Sequence, residues 1–296
     1  MKKSTILTAI LTVFVYFIFL SLYLLGLIND IAFIFSLAIV MFILILFIIL
    51  LFILRKKFIL GRIALSTGIL FILFCYEFPL MLYPDGLSHY AYGYVEPEEI
   101  IAGSGIYSVG VEEFQFVNMK SKKEVEQFLR NENIDVLTIE EISNKIIYGV
   151  KNRQLLTWFH LQKEHSYAEM KDNVISYLGD KAECLERYFA QPNRDGDSAG
   201  LSLALGGHYE KRDFQNQLSI AVTGAINEKG EVFEIGVLKE KIQIIEKAGI
   251  PYLIIPSKNA KEVEGILKNL KANVEIFDVS TVDEAVHVIK ELNEKN

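Results

Sequence analysis

Ser198 stands in the stretch RDGDSAGLSLALGG, residues 194–207, as a small hydroxyl between an acidic glycine turn and a run of helix formers. Three roles fit such a residue. The first is a helix cap, in which the hydroxyl accepts a bond from a free N–H of the first helical turn and does no chemistry. The second is a nucleophile elbow, because GDSAG satisfies Gly-x-Ser-x-Gly; that role needs a strand leading in, a helix leading out and a later histidine, for which His208 and His287 are the candidates. The third is a Ser-Lys dyad, in which an uncharged lysine amine takes the serine proton. An ordinary lysine has a pKa of ~10.4 and is charged at neutral pH. The base must therefore be desolvated or placed beside positive potential. Lys239 fits that need, because it falls in the first turn of the helix expected over LKEKIQIIEKA, where the helix end disfavours an ammonium and Val237 and Leu238 exclude water. The competing reading makes Ser198 a cap and Lys239 a solvated helix lysine like Lys241.

Other chemistries find less support. His89, His160, His165, His208 and His287 are scattered and make no HExxH or comparable ligand spacing, so neither a metal nor another cofactor is expected. No Gly-rich phosphate loop followed by Lys-Ser or Lys-Thr occurs, which argues against a nucleotide-hydrolysing motor. Cys75 and Cys184 fall in different parts of the chain, so no disulfide forms within the part after residue 84.

The elements that must position Ser198 lie in the second half. NQLSIAVTGAI, the turn NEKG and EVFEIG read as a hairpin with Gly230 supplying the positive φ of the turn. LKEKIQIIEKA reads as a helix stopped by Gly249, PYLIIP as a buried strand, NAKEVEGILKNL as a helix, NVEIFDVS as a strand and TVDEAVHVIKEL as a closing helix. Thr281 and Glu284 form a capping box. A helix is expected from Ser166 to Gly179, and RYFAQ reads as a strand. Strands alternating with helices give an α/β or α+β domain with a mixed sheet and covering helices.

Ahead of this domain, residues 5–27, 31–54 and 58–83 are three apolar stretches, each long enough to span a bilayer as a helix, so the fold class is three transmembrane α-helices followed by the α/β domain. Lys2 and Lys3 precede the first stretch, while Arg55, Lys56, Lys57 and Arg62 cluster between the second and third. By the positive-inside rule these ends face the cytoplasm and the third span exits on the far side, as a multi-pass cell-membrane anchor with an extracytoplasmic domain. Glu77, the acid inside the third stretch, is expected near the headgroups. Six of the 30 basic and two of the 37 acidic residues precede residue 84, leaving 24 against 35 in the remainder and no case for a nucleic-acid partner. The division expected is 1–83 as anchor, 84–160 as a connector and small mixed α/β segment, and 161–296 as the main domain. Within the middle segment, GIYSVGVEEFQFV, SKKEVEQFLRNEN and IDVLTIEE suggest strand, helix and strand.

From residue 194 onward the order of motifs resembles the proteolytic domain of the Lon family of Ser-Lys peptidases. RDGDSAG is similar to the family's Lys-Asp-Gly-Pro-Ser-Ala-Gly, and AVTGAINEKGEVFEIGVLKEK to its hairpin followed by Gly-Gly-Leu-Lys-Glu-Lys; AGIPYLIIPSKNAKEVE and VSTVDEAVHVI resemble the later strand and helix. The resemblance implies Ser198 as nucleophile and Lys239 as general base, Asp195 shaping the nucleophile turn, Thr223 as a hydroxyl near the lysine, and Gly224 opening a loop that substrate backbone approaches. It also implies an ATP-independent membrane-anchored serine endopeptidase, with polypeptide substrates and the lipid bilayer as partners, and a homo-oligomer as in the rings common in the family. Among motor-free relatives a PDZ module precedes the peptidase, and 104–145 is a candidate for a reduced form of it. Three positions depart from the pattern: Asp197 replaces Pro, Ala225 an acid, and Val237 the second Gly. Asp197 would raise the pKa of the base or favour basic substrates. The rival is a non-catalytic Lon-like binding or scaffolding module in the membrane, since fold alone does not give activity.

Overall fold

A computed structural model describes residues 2–55, 57–83, 86–159, 166–192, 194–270 and 272–295; His160 and His165 lie outside the described residues. In chain order the elements begin with three long helices, α1 (Lys2–Leu24), α2 (Asp30–Ile53) and α3 (Lys57–Glu77), and a 3-10 turn at Phe78–Leu82. Strands β1 (Leu87–Gly93), β2 (Glu98–Glu99), β3 (Ile106–Ser108) and β4 (Glu112–Val117) follow, then α4 (Lys122–Asn131), β5 (Val136–Glu141), α5 (Asn144–Trp158) and α6 (Tyr167–Leu178). A 3-10 turn at Gly179–Leu185 runs into α7 (Glu186–Phe189) and then α8 (Gly200–Glu210). The last part contains β6 (Ile220–Val222), β7 (Ala225–Ile226), β8 (Val232–Phe233), α9 (Leu238–Ala248), β9 (Tyr252–Pro256), α10 (Ala260–Leu267), β10 (Glu275–Val279) and α11 (Val282–Lys295). The chain forms two compact units, Met1–Tyr90 with Gln115–Val125 and Glu140–Gln162, and Ala91–Phe114 with Glu126–Ile139 and Lys163–Asn296.

In the first unit the three apolar stretches fold as helices long and apolar enough to cross a membrane, at Ile6–Leu24, Asp30–Ile53 and Ile59–Leu82. No more than 17% of any of these spans is buried inside the protein, so most of their Leu, Ile and Phe surface faces outward, as lipid-facing helices require. Where they meet, Tyr23 stacks on Phe33 and both are fully buried beside Leu37 and Leu70. Glu77, expected near the headgroups, is partnered by protein groups rather than by water. Its side chain is fully buried, bonded by Lys151 of α5 at 2.7 Å, by the Tyr16 hydroxyl at 2.5 Å and by the Tyr148 hydroxyl at 2.9 Å. The Lys151 ammonium also lies over the Tyr76 and Tyr148 rings, at 4.0 and 4.1 Å from their centroids. A carboxylate inside an apolar bundle is tolerated because an opposite charge and two hydroxyls replace its water.

The second unit is built on a five-stranded mixed sheet in the order β10-β9-β6-β3-β2, parallel except for β2. Alternation along the strands sorts the core into two layers. Ile220, Val222 and Ile254 face one cluster with Leu201 and Leu205 of α8, Met170 and Val174 of α6, and Ile289 of α11. Ala221, Leu253 and Ile255 face the other with Ile242 and Ile245 of α9 and Val263 of α10. Each such fully buried Ile or Leu contributes roughly 1.5–3 kcal/mol. The expected hairpin exists as β7 and β8, and Gly230 in its turn has φ 76° and a backbone N–H bonded to Asn227 O at 3.0 Å. At α11, Glu284 N–H donates to Thr281 Oγ1 at 3.1 Å while its carboxylate accepts from Ser280 N–H at 2.6 Å, one residue before the position the capping box assigns.

Three expectations need correction. Residues 84–103 are not a plain connector, because LSHYAYG alternates buried and half-buried positions as β1. RYFAQ is helical rather than extended: Leu185 and Tyr188, three apart, both turn into the core as α7 continues the preceding 3-10 turn. The third concerns β3, which comes from the middle segment yet pairs in parallel with β6, Ile106 opposite Ile220, and so completes the sheet of the main domain.

Removing one partner of the Glu77–Lys151 pair should leave a buried charge uncompensated. Lys151→Met is expected to destabilise the detergent-solubilised full chain by about 3–5 kcal/mol, and adding Glu77→Gln should restore part of that loss, as read by denaturant unfolding.

Candidate active site

Ser198 sits one residue before the cap of α8, in a turn stitched to the end of β6. Its carbonyl accepts from Gly224 N–H at 2.8 Å and from the Thr223 hydroxyl at 3.3 Å; in return, Leu201 N–H donates to Gly224 O at 2.8 Å. Thr223 N–H donates to Ile254 O of β9 at 3.1 Å, so the turn inherits the rigidity of the sheet. Gly224 permits this approach, because a Cβ there would lie 3.2 Å from both Leu201 Cδ2 and Val232 Cγ1. Upstream, Asp195 Oδ1 accepts from Gly196 N–H at 2.7 Å, and Gly196 takes φ 77°. Asp195, Thr223 and Gly224 thus lie around Ser198 as the motif order suggested.

Lys239 does not. Its side chain is 46% exposed and lies 3.9 Å from the Glu240 carboxylate. The amine that reaches Ser198 belongs to Lys241, which donates to Ser198 Oγ at 2.7 Å and to Thr223 Oγ1 at 2.8 Å and is only 4% exposed. Helix geometry is the reason. At about 100° per residue, positions 239 and 241 point to nearly opposite sides of α9. Lys241 shares its side with Leu238, Ile242 and Ile245, all buried. That i, i+3, i+4, i+7 spacing was present in the sequence and placed Lys241, not Lys239, on the core face.

Burial pulls the Lys241 amine down to about 7, against an opposing pull from the Asp197 carboxylate. The physical cause is desolvation: an ammonium loses its water here and gains hydroxyls but no contacting carboxylate. A lysine of that basicity is neutral for much of its time near pH 7 and can take a proton from a hydroxyl held at 2.7 Å.

Val237 caps the start of α9 with φ 59° and ψ 34°, the left-handed region that a β-branched residue rarely occupies. The position calls for glycine, and the turn keeps its shape around a valine at a strain of roughly 1–3 kcal/mol. Arg194, at the other end of the nucleophile turn, was not singled out by sequence reasoning. Its guanidinium donates to Glu98 of β2 and to Gln191 Oε1 and stacks 3.8 Å over the Tyr188 ring. It thereby ties the turn to the sheet edge.

The elbow role fails in this geometry. Turn rather than strand leads into α8. His208 bonds the Tyr177 hydroxyl at 3.1 Å and Asp213 at 2.7 Å, and His287 bonds Glu291 at 2.9 Å on α11. A cleft of about 870 Å³ opens over Ser198 and Lys241. Its walls carry Glu96, Glu112, Glu113, Asp195 and Asp197, and the Ser108–Val111 segment lies along it.

An α/β domain that sets a serine hydroxyl against a buried, near-neutral lysine has the parts that nucleophilic chemistry needs. Residues 190–291 match the family model of the Lon protease (S16) C-terminal proteolytic domain, so this part of the chain carries a Lon-type proteolytic domain. The chain is 37% identical over 94 residues to the Lon protease of Neorickettsia sennetsu, covering 32% of this chain and 11% of that protein. It is 39% identical over 100 residues to that of Azorhizobium caulinodans, covering 32% and 11%. With the Lon protease of Lawsonia intracellularis the identity is 32% over 163 residues, covering 52% and 19%. The chain thus spans less than a fifth of the length of these relatives.

Two measurements test the energetics. Because Lys241 is depressed from its ordinary value to about 7, the unfolded chain binds a proton the folded chain lacks between these values. Stability should therefore rise with pH from about 7 toward 10.5, the contribution being complete above the ordinary lysine value and lost as pH falls through the folded one. Lys241→Met should flatten this dependence in unfolding experiments across that window. Val237→Gly should relieve the backbone strain at the α9 cap and, after the cost of glycine's freedom in the unfolded chain, stabilise the protein by about 1 kcal/mol.

Proposed function

We propose that the protein is a membrane-anchored serine endopeptidase in which Ser198 is the nucleophile and Lys241 the general base. The observation that carries this reading is the 2.7 Å bond between Lys241 Nζ and Ser198 Oγ at an amine brought to about 7. Ser198 Oγ attacks the peptide carbonyl carbon while its proton passes to Lys241 Nζ. The start of α8 offers its positive end to the developing oxyanion. As the C–N bond breaks, the Lys241 ammonium returns the proton to the leaving amine, and an acyl ester remains on Ser198. Water then attacks that ester with Lys241 taking its proton, and the proton is handed to Ser198 Oγ as the C–O bond breaks. Thr223 holds the amine in line and anchors the Ser198 carbonyl. Asp195 shapes the turn, and Gly224 keeps it close to β6.

Substrates are exposed or unfolded polypeptide segments that lie along Ser108–Val111. The carboxylates of the cleft favour segments carrying Lys or Arg. Cleavage proceeds without ATP, a reading supported by the lack of a phosphate loop in the sequence. The three helices hold the enzyme in the cell membrane, and the Lys and Arg at Lys2, Lys3 and Arg55–Arg62 orient the peptidase domain to the extracytoplasmic side.

Full-length protein in detergent, assayed on casein and on basic peptides without nucleotide, should lose at least about a thousandfold in kcat/KM as Ser198→Ala or Lys241→Ala. Lys239→Ala should retain cleavage; loss with Lys239→Ala and retention with Lys241→Ala would reject this base. The pH profile of kcat/KM should climb to a plateau with a midpoint near 7, since the neutral amine is the active form. Asp197→Asn should move that midpoint to lower pH, because it removes the charge that holds the ammonium.

A further inference from the structure

The helix α5 lies across one end of the bundle formed by α1–α3, within a single compact unit. At its start, the Asn144 side chain donates to Tyr23 O and Ile28 O, at 2.7 and 2.9 Å, where α1 turns into α2. In its middle, Lys151 is bonded to Glu77 at the end of α3. Further along, Asn152 Oδ1 accepts from the Tyr76 hydroxyl at 2.9 Å and Gln154 Oε1 from the Tyr83 hydroxyl at 3.0 Å. All of these partners are the last residues of α1 or α3 or the turns beside them. Fifteen residues at about 1.5 Å each make a rod of roughly 22 Å laid over the end of the bundle.

The buried face of α5 is Ile147, Lys151 and Leu155, a stripe with steps of four. One turn later that stripe reaches Trp158, where the burial stops. Trp158 is 50% exposed and Phe159 70%. Beside them, the 3-10 turn after α3 leaves Phe78 half exposed and Leu82 64% exposed. Trp and Tyr collect at the level of the lipid headgroups, where an amphipathic ring satisfies both phases. A helix laid in the plane of that level keeps apolar groups toward the acyl boundary and cations toward water. Lys145 and Arg153 are exposed on α5 and supply such cations.

We propose that α5 is an interfacial helix whose C-terminal end, Trp158 and the adjoining Phe159, is embedded in the headgroup and upper acyl layer of the bilayer that α1–α3 cross. The occupant of this apolar surface is lipid, by continuity with the bare apolar flanks of the three spans. The inference rests on those helices being membrane-spanning. It does not depend on the direction in which the third span exits.

Trp158 is the sole tryptophan of the chain, so its fluorescence reports this turn alone. The full chain is reconstituted into phosphatidylcholine and phosphatidylglycerol vesicles carrying lipid brominated either just below the headgroup or deep in the acyl chain. Emission should be quenched by both, roughly twofold more strongly by the shallow label, and shielded from aqueous iodide. Quenching by iodide with none by brominated lipid would overturn the proposal by placing Trp158 in water. Shielding from iodide with no lipid quenching would equally overturn it, by placing a second copy or another protein on this surface. Alkaline carbonate extraction of the same vesicles separates the two levels of the argument: retained protein with an unquenched Trp158 rejects the interfacial helix alone, whereas released protein rejects the spans themselves.

Discussion

The site depends on one constraint, that the Lys241 amine is kept from water while being given hydroxyls rather than a contacting carboxylate as partners. A charged ammonium in that place would cost several kcal/mol. Loss of the proton removes most of this cost and creates a base. Each neighbouring feature serves the constraint. Ile242 and Ile245 seal α9 against the sheet, and Thr223 is positioned by its bond to β9. The left-handed turn at Val237 starts α9 at the register that turns position 241 inward. A helix displaced by one residue would rotate Lys241 by about 100° and open the dyad.

Asp197 acts on the same amine from the other side. Its carboxylate stabilises the ammonium and so partly offsets desolvation, leaving the amine at about 7 rather than lower. A base much weaker than this would be a poor proton acceptor, and a much stronger one would be charged at neutral pH. The acid at position 197, where the resembled motif has proline, is therefore compatible with proton transfer. It sets the pH at which the neutral form appears.

Much of the second unit was legible in the sequence because its signals are local. Gly230, Gly249 and the Thr281 cap mark turns and helix ends by backbone conformation or one hydrogen bond, and PYLIIP is a run that only a buried strand explains. The motif order likewise located Ser198, Thr223 and Gly224. The buried lysine lies two residues beyond the position implied by the motif order, because the apolar face of α9 decides burial and the helix end exerts only a weak field. Non-local partners defeated the rest of the reading. Ile220, Ala221 and Val222 fix β3 as a strand of the main sheet through pairings more than a hundred residues away in sequence. The buried stripe of α5 contains a lysine, which breaks the apolar pattern unless Glu77 is known to face it.

Lys151 and Lys241 are both buried, and their surroundings decide what each can do. Lys151 has a carboxylate at 2.7 Å and two aromatic faces near 4 Å, all of which stabilise positive charge. Taking its proton would strand Glu77 as a buried anion, so Lys151 is a structural cation that clips α5 to the end of α3. Lys241 contacts hydroxyls, which accept a bond from an ammonium and can accept from, or donate to, a neutral amine. Its deprotonation strands nothing. A buried lysine therefore becomes a base where its neighbours tolerate both protonation states, and a strut where they tolerate only one. That distinction, more than burial itself, sets Lys241 apart as the base of the proposed mechanism.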